Sequence, residues 1–133
     1  MSLTEVSRDY VLDSSALLAV FHREPGADQV LPLLPRSAIS SVNWAEVFQK
    51  MIQGKLNTRT LRQNTDGMGV HILPFTAADA EQAALLWEDG RRKGLSLGDR
   101  ACLSLALRLN LPVVTADRVW ATLDLGIDVR TIR

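Results

Sequence analysis

The stretch Tyr10-Val11-Leu12-Asp13-Ser14-Ser15-Ala16-Leu17-Leu18-Ala19 sets a three-residue apolar run against one acid, two hydroxyls and then apolar residues at helical spacing. So short a strand suits the centre of a sheet covered on both faces. The helix that follows at once, Ser15 to His22, begins an alternation that continues outward along the chain. Ala38-Ile39-Ser40, Val70-His71-Ile72-Leu73, Pro112-Val113-Val114-Thr115 and Asp128-Val129-Arg130-Thr131-Ile132 read as four further strands. Ala27 to Leu34, Val42 to Gly54, Thr58 to Asp66, Ala77 to Lys93, Leu97 to Leu109 and Arg118 to Leu125 read as helices. This order predicts an α/β fold, a three-layer α/β/α domain on a mainly parallel five-stranded sheet.

Punctuation supports the boundaries. Pro25-Gly26 separates the first two helices, Pro32 and Pro35 end the second, and Gly54 and Gly94 stand where helices should stop. Ser96 followed three residues later by Asp99 has the spacing of a capping box, with Asp in place of Glu or Gln. No repeat, low-complexity tract or linker interrupts the chain, so a single domain over 1–133, with its core at about 9–133, is expected.

With 133 residues, 47% of them hydrophobic and 23% charged, the chain can bury a core without disulfides or a structural metal. Cys102 is the only cysteine, which excludes an intramolecular disulfide framework and any multi-cysteine zinc site and suits a reducing cytosol. No apolar run approaches the roughly 18 residues of a membrane span. Met1 to Arg8 lacks the apolar core of a secretory signal, so a cytoplasmic location is expected. A formal net charge of +0 argues against coating nucleic acid by bulk charge, so function must reside in a site.

Four acids mark that site. Asp13 ends the first strand, Glu46 lies early in the helix after the second, Asp99 is in the first turn of the helix at Leu97, and Asp117 is two residues beyond the fourth strand. In a parallel sheet the carboxyl ends of strands and the amino ends of the following helices share one edge, where ligands bind. A strand order 3-2-1-4-5 would make the first and fourth strands neighbours and bring Asp13 beside Asp117. Crowded carboxylates repel one another and call for a cation. Oxygen ligands with no thiolate or histidine among them favour Mg²⁺, with Mn²⁺ as substitute, and an ion so held suits phosphate-ester hydrolysis. Each acid also has a purely structural reading. Asp13 and Asp117 can cap the helices that follow them, and Asn43 to Glu46 and Ser96 to Asp99 both have capping-box spacing.

The chain resembles the PIN-domain family, in particular the VapC toxins of VapBC toxin-antitoxin modules. Four segments carry the likeness: Tyr10 to Ala19; Ser40-Ser41-Val42-Asn43-Trp44-Ala45-Glu46-Val47; Leu95-Ser96-Leu97-Gly98-Asp99-Arg100-Ala101-Cys102-Leu103; and Pro112-Val113-Val114-Thr115-Ala116-Asp117-Arg118-Val119-Trp120. The resemblance implies a Mg²⁺-dependent endoribonuclease, usually dimeric, that cleaves a narrow set of RNAs and is silenced by a cognate antitoxin protein. It implies a catalytic site of Asp13, Glu46, Asp99 and Asp117, with Asp13, Asp99 and Asp117 as metal ligands. Thr115 matches a hydroxyl position near metal and phosphate.

Arg100 and Arg118 border the acids and are candidates to position phosphate, or else belong to a solvated face. Cys102, among apolar neighbours, reads as a buried structural thiol. His22 and His71 have no partner motif. Trp44, Trp87 and Trp120 read as core. Leu31, Leu33, Leu34, Val47, Phe48, Met51 and Ile52 make the second and third helices apolar enough to meet a second copy or an antitoxin segment. Two other functions compete. A phosphatase or receiver-type phosphoacceptor lacks its Asp-x-Asp here, whereas a catalytically silent interaction module of the same fold would have acids that only cap helices.

Overall fold

A computed structural model describes residues 8–133; residues 1–7, on which most of the secretory-signal expectation falls, lie outside the described residues. In chain order the elements are β1 (Tyr10–Leu12), α1 (Ser14–His22), α2 (Ala27–Val30), β2 (Ser37–Ser40), α3 (Ser41–Gln53), α4 (Leu61–Gly67) and β3 (His71–Leu73). There follow α5 (Ala77–Leu85), α6 (Trp87–Arg92), α7 (Leu97–Leu109), β4 (Val113–Thr115) and β5 (Val129–Thr131). The strands form one sheet in the order β3-β2-β1-β4-β5, parallel throughout. Val11 faces Ala38 on one side and Val113 on the other.

Alternation along these short strands supplies two cores. Leu12, Ile39 and Val114 pack with Ala16, Leu17 and Ala19 of α1 and Val47 of α3. Val11, Ala38 and Val113 point the other way, onto Cys102, Leu103, Leu105 and Ala106 of α7 and onto Trp120. A sheet buried on both faces needs apolar residues of both parities, which is why its strands read as continuous apolar runs. Trp120 is fully buried and Trp44 packs at the margin of the first core, but Trp87 is 53% exposed, contrary to the expectation that all three tryptophans are core.

Three expected helices differ in the structure. Ala27 to Leu34 gives way after Val30 to a 3₁₀ segment at Leu31–Arg36, where Pro32 and Pro35 remove the N–H groups that an α-helix would use. Ala77 to Lys93 bends at Leu86, because Leu86 and Gly90 turn inward toward Leu95 and Arg100. Arg118 to Leu125 is only a 3₁₀ segment, Arg118–Thr122. Gly26 has φ 96°, and a Cβ there would lie 2.5 Å from the Ile132 carbonyl oxygen, so only glycine lets the turn before α2 pass this close to the end of the chain.

Candidate active site

The carboxyl ends of β1 and β4 are bound together by two hydroxyls. Asp13 follows β1 as the N-cap of α1, and its Oδ1 accepts from the Ala16 N–H at 2.9 Å and from the Ser15 hydroxyl at 2.7 Å. Its Oδ2 accepts from the Thr115 hydroxyl at 2.5 Å, across 102 positions of sequence. Each hydroxyl also accepts a backbone N–H from the loop after β4: Ser15 from Ala116 at 2.9 Å and Thr115 from Asp117 at 3.0 Å. Every polar group in this knot therefore has a partner.

Asp99 sits at the third position of α7 in the expected capping box, its Oδ2 accepting the Ser96 N–H at 2.9 Å while its own N–H donates to the Ser96 hydroxyl at 3.1 Å. Asp117 caps the 3₁₀ segment, its Oδ1 accepting from the Val119 N–H at 3.0 Å. Glu46 is not in a capping box. α3 begins one residue earlier than expected, with Ser40 as N-cap, which leaves Asn43 inside the helix. There its side-chain amide donates to Glu46 Oε1 at 2.9 Å and to the Gly98 carbonyl at 2.9 Å.

The charges act on one another. Burial raises the Asp13 carboxyl to about 6, against the bonds from Thr115, Ser15 and Ala16, and the Asp99 charge adds to the rise. Burial likewise raises Asp99, opposed by Ser96 and reinforced by Asp117. Burial pushes the Cys102 thiol well up, as do the charges of Asp13, Asp99 and Glu46. The charges of these three carboxylates are thus felt at one buried point on α7, and that of Asp117 is felt at Asp99. A fully buried thiol so opposed stays neutral and is no nucleophile.

The basic candidates are engaged elsewhere. Arg100 Nη1 donates to the Ala83 carbonyl at 2.7 Å, tying α7 to α5, and Arg118 Nε donates to the Arg133 carbonyl at 2.8 Å from an exposed position. His22 is exposed and lies 3.7 Å from Glu24, away from the acids' hydrogen-bond network. Two further residues belong to the site: Ser15, as the second hydroxyl on Asp13, and Asn43, as the donor to Glu46. Ser15 was legible as a hydroxyl two places after a strand-end acid. Asn43 was not, since its second partner is 55 residues away.

A parallel five-stranded sheet between helices, with carboxylates at the ends of its strands and the starts of the following helices, defines an α/β protein with an acidic edge. A family profile for the PIN domain matches residues 10–125. The chain belongs to the PIN-domain family. No curated protein matches the sequence. Among solved structures it is similar to a toxin-antitoxin complex from Klebsiella pneumoniae, at 24% identity over 94% of this chain and 98% of that one, with a TM-score of 0.74. It is similar to a DNA-bound VapBC from Salmonella typhimurium, at 18% identity over 95% and 99% of the two chains, TM-score 0.73. It is also similar to VapC20 of Mycobacterium tuberculosis, a sarcin-ricin loop cleaving toxin, at 14% identity over 90% and 99%, TM-score 0.71. At these identities the likeness is one of fold.

Proposed function

We propose that this protein is a divalent-metal-dependent endoribonuclease and the toxin of a toxin-antitoxin pair. The observation that carries the reading is Asp13: a buried carboxyl at about 6, held by Thr115 and Ser15 and repelled by Asp99, at the edge where parallel sheets bind ligands. Membership of the PIN family and the toxins among the similar folds support it.

The donor chemistry fits Mg²⁺ or Mn²⁺. Asp99 uses Oδ2, Asp117 uses Oδ1 and Glu46 uses Oε1 in the bonds described, so one oxygen of each has no hydrogen bond among the described residues. The sequence reading crowds the four acids together, but among the described residues no three acidic, histidine or cysteine side chains stand close enough to cage a metal ion. Mg²⁺ takes few carboxylates and retains waters, so a loose all-oxygen rim suits it. Asp13, Asp99 and Asp117 would hold the ion, which when bound supplies charge neutralisation and Lewis acidity toward phosphate and water. Thr115 orients Asp13 and favours its ionised form, and because it is fully buried it acts on the phosphate only through Asp13. Glu46 and Asp117 orient the attacking water and accept its proton. Water oxygen bonds to phosphorus as the 3′-oxygen leaves, giving 5′-phosphate and 3′-hydroxyl ends.

Arg118, on the rim, has guanidinium nitrogens to offer a phosphate beyond the one bound to Arg133. Arg100 would have to do so while holding Ala83. The exposed Leu31 and Ile52 offer apolar surface to an antitoxin segment or a second copy in a homodimer. No described helix is long and apolar enough to cross a membrane, which fits the proposed cytoplasmic role.

The caps on Asp13, Asp99 and Asp117 also suit the silent interaction module, so the deciding experiment reads chemistry. Purified protein is incubated with total RNA with and without Mg²⁺ or Mn²⁺, beside Asp99→Asn, and the new ends are sequenced. Discrete metal-dependent cuts lost in the variant are expected. Absence of both cleavage and metal binding would overturn the nuclease reading and favour the interaction module.

A further inference from the structure

We propose that Asn43 and Gly98 form a positioning pair that fixes the Glu46 carboxylate at the mouth of the acidic site, Asn43 by donation and Gly98 by its missing Cβ. The proposal rests on the nuclease reading and names residues outside its four acids.

Asn43 is 1% exposed, and its two partners, Glu46 Oε1 and the Gly98 carbonyl oxygen, are both acceptors only. The orientation of its amide is therefore dictated by chemistry, and both of its N–H bonds are used. Its Oδ1 is buried and has no hydrogen-bond partner among the described residues. An unmatched acceptor is a poor arrangement for a residue that merely packs. What the amide accomplishes is to join Glu46, on α3, to the first turn of α7, one residue before Asp99.

Gly98 completes the arrangement from the other side. It is not among the glycines with positive φ, so its backbone conformation does not demand glycine. Space does: a Cβ there would lie 2.4 Å from Glu46 Oε2 and 2.7 Å from Glu46 Cδ. The obstructed group is the free end of a flexible side chain, so a methyl would push the carboxylate aside and leave α7 in place. Alanine is also the better helix former. Gly98→Ala thus moves one carboxylate without unfolding the protein.

The test combines cleavage kinetics with Mn²⁺, Mn²⁺ binding by calorimetry, thermal unfolding, and side-chain amide exchange of Asn43 by ¹H–¹⁵N NMR in the metal-free protein. For Gly98→Ala we expect kcat to fall roughly 10- to 100-fold, with KM and Mn²⁺ affinity unchanged and the unfolding midpoint at or above that of the wild type. In the wild type both Asn43 amide protons should exchange slowly. In Gly98→Ala and in Glu46→Ala, the proton facing Glu46 should exchange quickly while the one on the Gly98 carbonyl stays slow. Wild-type kcat in Gly98→Ala, or fast exchange of both protons in the wild type, would overturn the proposal. If the wild type cuts no RNA with any metal, the nuclease reading fails, and the exchange pattern by itself still supports or refutes the positioning pair.

Discussion

At the scale of single residues, Asp13 links stability to function. Its carboxyl titrates at about 6 in the folded protein, above the ordinary 3.8, so between these values the native state binds more protons than the unfolded state. Stability of the metal-free protein should therefore fall as pH rises from 4 to 7, by about 3 kcal/mol from this group. Urea denaturation at fixed pH values measures it, and Asp13→Asn should flatten the slope while abolishing cleavage. A variant that instead fails to fold at every pH would make Asp13 a helix cap and nothing more. Trp120, three residues after Asp117, offers a test of packing in the second core. Its indole nitrogen is buried without an acceptor, so Trp120→Phe forfeits no hydrogen bond and should cost less than the 3–5 kcal/mol or so of a truncation to alanine.

Among the elements, α7 carries most of the organisation. Its start presents Asp99, its buried face forms one core, and its last turn is fastened to α5 by Arg108, whose Nε and Nη2 donate to Asp79 at 2.8 and 3.1 Å. Burial works to raise Asp79, but Arg108 and the Thr76 N–H outweigh it and hold the carboxyl below its usual value. Its contribution is present at neutral pH and is lost as pH falls through that lowered value, the opposite sense to Asp13. Arg108→Ala should cost about 1–3 kcal/mol at pH 7 and less in acid, checked by denaturation at both pH values. At the other end of α7, Ser96→Ala removes half of a capping box and should cost about 1 kcal/mol. The backbone N–H of residue 96 still holds Asp99 Oδ2, so Mn²⁺ affinity should stay close to that of the wild type while stability falls, a separation that calorimetry can measure.

For the whole molecule, the acids make folding and ion binding interdependent. Repulsion among Asp13, Asp99 and Asp117 destabilises the metal-free protein, and an ion that binds only the native state adds stability by mass action, about 2.7 kcal/mol at a hundred times its Kd. The unfolding midpoint should thus rise with Mn²⁺, more at pH 7 than at pH 5, where Asp13 is largely protonated. Asp99→Asn should lose most of that rise. A midpoint indifferent to Mn²⁺ at both pH values would remove the metal from the proposed chemistry.

Local sequence determined a good deal of this. Short strands with apolar residues of both parities can only lie inside a two-faced sheet, and acids at strand ends and helix starts must then share one edge. Ser96 and Asp99 announced their capping box because both bonds close within a single turn. Tertiary structure decided what depends on distant partners: the bend at Leu86, made where Gly90 meets Leu95 and Arg100; the exposure of Trp87; and the role of Asn43, whose second acceptor is 55 residues away. It also decided the state of Asp13, since the hydroxyl that holds its Oδ2 arrives from another strand 102 residues along the chain. Residue type and spacing set which groups meet within a turn, but only the folded sheet sets the burial and the neighbouring charges that give a carboxylate its chemistry.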